Sequence, residues 1–436
     1  MTAIFVVVLM VIPARLVLKG VPLALAPSML IGFGLGACWL CAQMVTTTGV
    51  AKGRNTARTA LFLFACSQLA TYGYATYGYL PRDELNATDR SLLTILAVVA
   101  VGITVCDGVT RVERLERLLK VMVGACTFMA GVAILQFLGL DIVPYLTLPG
   151  LRPAVDGTDF VLQRGAFPRP AGTAGHPIEL GVVCSAAAPL ALHLAWGRTG
   201  TRPAWAWWGC LAILLIATMV SLSRSGILGL AVAFLVLLPT WPARRQFLTL
   251  AGAVLFAGAM SVAIRGLIGT LIGLFVNITD DSSIQTRTND YKSAFLQISM
   301  HPWLGRGLGT YLPNKYGALD NQYLGTIVQN GYVGLAVLIV LLLAGMYACT
   351  RARLMLRDPV QRDMAQSLLA AIAVIALTAA FFDMFAFGTV TGVMFVLIGM
   401  SGALLRIAYR MRADSDSSAR GGLAAQILRR LRKARS

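Results

Sequence analysis

Arg224 sits in Ser223-Arg224-Ser225-Gly226, a short polar break between apolar stretches at about 204–220 and 227–238. An arginine at a membrane-helix centre costs about 2.5–3.5 kcal/mol on insertion scales, so such charges face a wet cavity or a partner. A guanidinium fork there suits an anionic ligand. A second set is Arg169-Pro-Ala-Gly-Thr-Ala-Gly-His176-Pro-Ile-Glu179. Backbone amides at the start of the following helix, with Arg164 and Arg169 beside them, can hold an anion. The plainer reading is a turn with Pro177 at the first helical position. His176 and Glu179 are candidate proton acceptors, and His176 otherwise reads as a capping or turn residue. A third set holds Arg287, Asp290, Tyr291 and Lys292, then His301-Pro-Trp-Leu-Gly-Arg306-Gly-Leu-Gly-Thr310, then Asp320-Asn321-Gln-Tyr-Leu324. Glycines 305, 307 and 309 lack GxGxxG spacing and a preceding strand, so they read as a tight path over a membrane-embedded site. Asp320 is the first candidate for a general base, and otherwise a helix N-cap.

Membrane helices must position these groups. The chain has 436 residues, 57% hydrophobic and 13% charged, with mean hydropathy +0.73. That composition predicts an all-α, polytopic integral membrane protein. Hydropathy places about twelve spans near 3–18, 24–46, 58–80, 91–107, 118–139, 177–196, 204–221, 226–240, 246–264, 331–349, 365–386 and 388–406. Most of the 37 basic residues fall in alternate connections and in the tail. Lys52/Arg54/Arg58, Arg111/Arg114/Arg117/Lys120, Arg198/Arg202, Arg244/Arg245 and Arg351/Arg353/Arg357/Arg362 form that set. The positive-inside rule then puts both termini in the cytoplasm and the candidate residues on the outer face. The net charge of +18 is thus read as membrane orientation, and no nucleic-acid partner is expected.

The expected regions are N-terminal helices over 1–140, a catalytic membrane region over 141–410 with outer loops 141–176 and 265–330, and a basic tail over 411–436. Apolar stretches Leu267–Val276 and Ala294–Ser299 read as interfacial helices, and Arg429–Arg435 as a helix on anionic lipid. Met1–Met10 lacks a basic leader and a cleavage site, so it reads as a retained helix. The eight cysteines sit mostly in apolar spans as small core residues; Cys38-x-x-Cys41 has no histidine or second pair nearby. No outer DxD or HExxH is present, so neither a metal nor another cofactor is expected.

The segments at 169–177, Ser221–Gly226, His301–Thr310 and Asp320–Leu335, in this order and topology, resemble the O-antigen ligase/polymerase superfamily over roughly residues 160–400. The resemblance implies a GT-C-type, metal-independent glycosyltransferase of the inner membrane. It would move glycans from undecaprenyl diphosphate on the outer face, with lipid-linked donor and acceptor, membrane lipid, and a flippase and chain-length regulator as partners. Ligases of the superfamily usually carry histidine before the asparagine where this chain has Asp320, and Asp-Asn-x-Tyr-Leu looks more like the polymerase branch. Arg164…Gly175 and Arg306…Gly317 also fit the polymerases' arginine–glycine spacing, a weak signal in a chain with 43 glycines. The expected function is a polymerase of lipid-linked oligosaccharide repeats for a surface polysaccharide. Arg224 and Arg287 would hold the diphosphate with Arg169 assisting. Asp320 would act as base, with Glu179 or His176 next, and Asn321, Arg164 and Arg306 in support. A ligase onto a lipid or protein acceptor is the first rival. A transporter of anionic lipid or polysaccharide is the second, although the spans show no internal repeat.

Overall fold

The structure, a computed structural model, describes residues 1–20, 24–45, 54–154, 161–164, 167–197, 204–276, 291 and 293–433. The helices in chain order begin with α1 (Thr2–Val11), α2 (Pro27–Met44), α3 (Thr56–Tyr77), α4 (Arg82–Gly108) and α5 (Val112–Phe137). Then come α6 (Pro177–Trp196), α7 (Ala204–Val220), α8 (Arg224–Leu237), α9 (Ala243–Ala263) and α10 (Leu267–Val276). A helix over 293–300 (α11), a single turn α12 (Pro313–Tyr316), α13 (Gln322–Met355), α14 (Pro359–Thr378) and α15 (Gly388–Lys433) complete the set. Eight helices are long and apolar enough to cross a membrane, with shorter apolar helices at 2–11, 204–220 and 224–240. The chain is an all-α polytopic membrane protein.

A helix falls on each predicted span, with differences in extent. The span expected over 3–18 ends at Val11. Pro13 has no amide hydrogen to continue the ladder, and the chain turns into β1 (Leu16–Leu18), antiparallel to β2 (Leu151–Pro153). The helix expected from 331 begins at Gln322 and is broken at Gly331, whose φ of 66° is easily reached only by glycine. Its polar first stretch is satisfied inside the bundle: Asn330 Nδ2 donates to Gln68 Oε1 of α3 at 2.7 Å. The span at 365–386 is helical to Thr378, then continues as two 3-10 turns at Ala379–Phe381 and Met384–Ala386. The last helix runs on to Lys433.

One apolar core extends from Phe5 to Ala408 and includes residues of α1–α8 and α13–α15. The apolar windows of α6 and α15 are each 94% buried, so they are the central helices. A helix apolar all round is stable in such a place because protein covers every face. By contrast α9 is only 6% buried and lies outside the core.

Ionic clusters of described residues gather at one end of the bundle. At that end, buried Asp107 accepts from Arg58 at 3.2 Å and Trp39 at 3.1 Å, with Arg406 at 3.5 Å. There too, Asp363 accepts from Arg245 at 2.7 Å and Trp241 at 3.2 Å, and contacts His193 Nδ1 at 2.7 Å. The described candidate residues collect at the other end.

Candidate functional site

Helix α7 has 17 residues, about 26 Å of length, against a hydrocarbon thickness of about 30 Å. Its tight turn into α8 therefore lies recessed from one surface when the other end reaches the opposite interface. Leu222 in that turn has φ 49°, a left-handed conformation costly for a branched aliphatic side chain. Its side chain is fully buried with Met260, Leu267 and Leu271, a small apolar cluster that also takes in Phe167 and Phe256. Packing thus holds the strained turn. Ser223 caps α8 by accepting from Gly226 N at 3.4 Å, and Arg224 is the first helical residue.

Two glycines press this turn onto α6. A Cβ on Gly181 would lie 2.8 Å from Ser221 Oγ, and one on Gly226 3.0 Å from Gly181 Cα. The same approach brings in the segment before α6. Strands β3 (Leu162–Arg164) and β4 (Phe167–Arg169) form a hairpin, and Arg169 Nε donates to the Ser221 carbonyl at 3.3 Å. Arg169 and Arg224 therefore flank one turn. Burial, with the nearby Arg164 charge, brings the Arg169 guanidinium down to about 10, which leaves it cationic at neutral pH.

His176 is the N-cap of α6, its Nδ1 accepting from Ile178 N at 3.1 Å. Nδ1 used as an acceptor assigns the ring proton to Nε2, so the neutral ring offers a donor. Burial pushes His176 down to about 4; the Arg169 charge adds to this and Asp320 opposes it. Glu179 is fully buried. Its carboxylate accepts from Gly175 N at 2.7 Å, Thr389 N at 2.7 Å and Val390 N at 3.1 Å, tying the start of α6 to the start of α15.

Asp320 precedes α13, but the cap is Asn321, whose Oδ1 accepts from Tyr323 N and Leu324 N. Asp320 is thus not the cap. The next residue, Gln322, pins the loop between α14 and α15: its amide N donates to Phe382 O at 3.1 Å, and its Oε1 accepts from Phe385 N at 2.7 Å. That clamp sets Asp383 near Asp320. Burial raises Asp383 to about 6, with the Asp320 charge adding and the amides of Ala386 and Phe385 opposing. Phe387 of the same loop packs on the His176 ring at 5.6 Å between centroids.

The glycine-rich segment is a strap over the break in α13. Gly307 N donates to Gln329 O at 2.9 Å, Arg306 N to Val328 O at 2.9 Å, and Tyr332 N to Pro302 O at 2.8 Å. A Cβ on Gly305 would fall 2.3 Å from the Gln329 carbonyl carbon. The guanidinium of Arg306 bonds Glu84 Oε2 at 2.9 Å, bonds the Tyr316 hydroxyl and stacks on its ring at 4.1 Å. Lys315 reaches the same carboxylate at 3.3 Å. Arg306→Met should lower stability by about 2–3 kcal/mol, less than the ~3–5 kcal/mol of a fully orphaned buried charge, because Lys315 and Tyr316 remain. A depressed melting midpoint in detergent checks this; an unchanged midpoint would show that Arg306 does not anchor the strap.

The structure therefore brings Arg169, Arg164, Arg224, His176, Asp320 and Asn321 to one end, with Glu179 locked beneath them. Arg306 is engaged by Glu84, and Arg287 lies outside the described residues. Asp383, Gln322 and Glu84 were not singled out as site residues. Asp383 carried a sequence signal, being an acid near the end of a late span. Among the described residues no group of three or more His, Cys, Asp or Glu gathers at metal-binding distance. Residues 209–339 match a family model described as O-Antigen ligase. A comparison with curated proteins found no match. The matched stretch holds Arg224, Arg306, Asp320 and Asn321, whereas Arg164, Arg169, His176, Glu179 and Asp383 come from outside it.

Proposed function

We propose that this chain, whose residues 209–339 match the O-Antigen ligase family model, polymerises lipid-linked oligosaccharide repeat units at the outer face of the inner membrane. The observation that carries this reading is Arg169 and Arg224 flanking one recessed turn, at the same end as the Asp320–Asp383 pair. The donor is a glycan on undecaprenyl diphosphate. The acceptor hydroxyl oxygen attacks the anomeric carbon, the bond from that carbon to the phosphate oxygen breaks, and the diphosphate leaves with the electron pair. Guanidiniums held by packing stabilise that charge in a partly dry site. The hydroxyl proton passes to Asp320, which stands beside Asp383. His176 offers Nε2–H to a sugar or phosphate oxygen. Polymerase is favoured over ligase by Asp320 standing where ligases carry histidine.

Purified protein with lipid-linked repeat units, resolved by gel, tests the reading. A ladder of lengthening glycans supports polymerisation. Transfer to a non-glycan acceptor alone makes it a ligase, and no transfer with either acceptor overturns both.

The sidedness has its own test. By the positive-inside rule, the end that holds Arg58, Arg245 and Arg406 should face the cytoplasm. In a cysteine-free background, Gly157→Cys and Ser283→Cys should react with an impermeant thiol reagent in intact cells. Arg114→Cys, Arg357→Cys and Ser436→Cys should be protected. Labelling at 357 or protection at 283 would invert the map.

A further inference from the structure

Gly32 and Gly36 let α2 close on α4: a Cβ on Gly32 would lie 2.9 Å from Ala97 O, and one on Gly36 2.9 Å from Ala100 Cβ. Trp39, less than a turn further on, thereby reaches Asp107, at the end of the bundle that the positive-inside rule assigns to the cytoplasm. Arg58 of α3 and Arg406 of α15 meet the same buried carboxylate. The start of α3 is held to α15 by Asn55 Nδ2, which donates to Gly402 O at 3.0 Å. The end of α4 is held to α15 by Arg406, which donates to Cys106 O at 2.6 Å and to Val109 O at 2.7 Å. Gly402, Arg406 and Arg410 are spaced i, i+4, i+8, so they form one row along α15. Arg54, next to Asn55, and Arg111, just past Val109, are therefore brought toward the same row as Arg410. All three are exposed, and none forms an ion pair with a described residue. Asp107 does not serve them, because Trp39, Arg58 and Arg406 already occupy it.

An apolar wall adjoins this basic rim. The Trp39 ring packs on Phe62 with centroids 5.7 Å apart, and Phe62 is 40% exposed. The apolar window of α2 is only 22% buried, so this wall faces lipid. Scattered arginines at such an interface would serve orientation alone. Here they are gathered by three helices around a carboxylate that is already taken, beside a surface that suits an acyl chain. Guanidinium forks match phosphate oxygens, and basic pockets between membrane helices on the cytoplasmic side take anionic headgroups. A soluble phosphate would use the rim and leave the wall bare. We propose that this rim binds the headgroup of an anionic phospholipid, with Arg54, Arg111 and Arg410 on its phosphate and an acyl chain along Trp39 and Phe62. The bound lipid would brace the junction of α2, α3 and α4 with the central helix α15.

Melting of the full chain in phosphatidylcholine nanodiscs, with a rising share of phosphatidylglycerol, tests it. No glycan substrate enters the measurement, so its outcome is independent of the transferase reading. Phosphatidylglycerol should raise the melting midpoint. Arg111→Gln and Arg410→Gln should each raise the share needed for half of that rise about fivefold, the scale of one basic residue at an anionic surface. Arg357→Gln removes the same charge from the exposed connection between α13 and α14, outside the rim, and should leave that share unchanged. Arg111 and Arg410 belong to different elements, so if one variant folds poorly the other reads the same site. An equal midpoint with and without phosphatidylglycerol would overturn the proposal. So would a wild-type response in both rim variants, or a weakening by Arg357→Gln as large as theirs, which would mean diffuse surface charge. Inorganic phosphate that reproduces the rise in phosphatidylcholine alone would make the rim a soluble-anion site and overturn the lipid assignment.

Discussion

Arg224→Lys is expected to lower glycan transfer about a hundredfold or more, the scale of one removed transition-state donor, although the positive charge is kept. The expected loss follows from geometry. Arg224 starts α8 at a turn held by a buried left-handed Leu222 and by the close approach of Gly181 to Gly226. A guanidinium leaving that helix end presents a planar fork, so two N–H groups can meet two phosphate oxygens together. A lysine ammonium offers a point charge on a flexible stem and holds its water more strongly. Both differences act on the leaving diphosphate, so the loss should fall on turnover more than on donor binding. Arg224→Ala should be at least as inactive. The measurement is polymer length and initial rate with purified protein, normalised to folded protein by a melting curve. Wild-type polymer at wild-type protein level in Arg224→Ala would remove Arg224 from the mechanism. Arg306→Met serves as a contrast, because its guanidinium is engaged by Glu84 and Tyr316. It should cost melting temperature, with transfer per folded molecule affected less than in Arg224→Lys.

The helices were legible because a chain crossing lipid must satisfy its backbone within each span, so apolar runs mark helices directly. The described ionic clusters around Asp107 and Asp363 fall at helix ends for a related reason, since a guanidinium avoids the hydrocarbon. What was hidden depended on contacts far apart in sequence. Residues 322–330 look like loop, since Gln322, Thr326 and Asn330 are polar. They are helical because Gln322 bonds Thr326 and Asn330 bonds Gln68 of α3. Arg306 drew attention through its spacing to Gly317, yet its partner Glu84 lies 222 residues away, beyond any local pattern. The meeting of Arg169 with the Ser221 carbonyl likewise rests on α6 packing against α8, which no motif states. Asp383 was visible only as an acid near the end of a span. Its meaning depends on the Gln322 clamp, which sets the loop beside Asp320.

That placement leads to the sharpest expectation. Asp320→Asn should stop elongation while leaving the fold intact, so that single lipid-linked repeats accumulate. Because Asn321 already caps α13, removing the Asp320 charge leaves the helix start unchanged. An unchanged melting midpoint is the check that excludes a folding explanation for lost activity. The pH profile then separates a base from a bystander. Transfer that needs Asp383 ionised beside Asp320 should rise with pH through about 6, where burial places the Asp383 titration. It should be lost below that value. His176, held at about 4, stays neutral throughout this window and cannot produce the limb. In Asp383→Asn the group that titrates near 6 is gone, so the acid limb should disappear from that region, with a smaller plateau rate. A structural role for Asp383 would lower the plateau without moving the limb. Wild-type chain lengths in Asp320→Asn would transfer the base to another group. Glu179, with its oxygens taken by the amides of Gly175, Thr389 and Val390, would then be a poorer successor than Asp383.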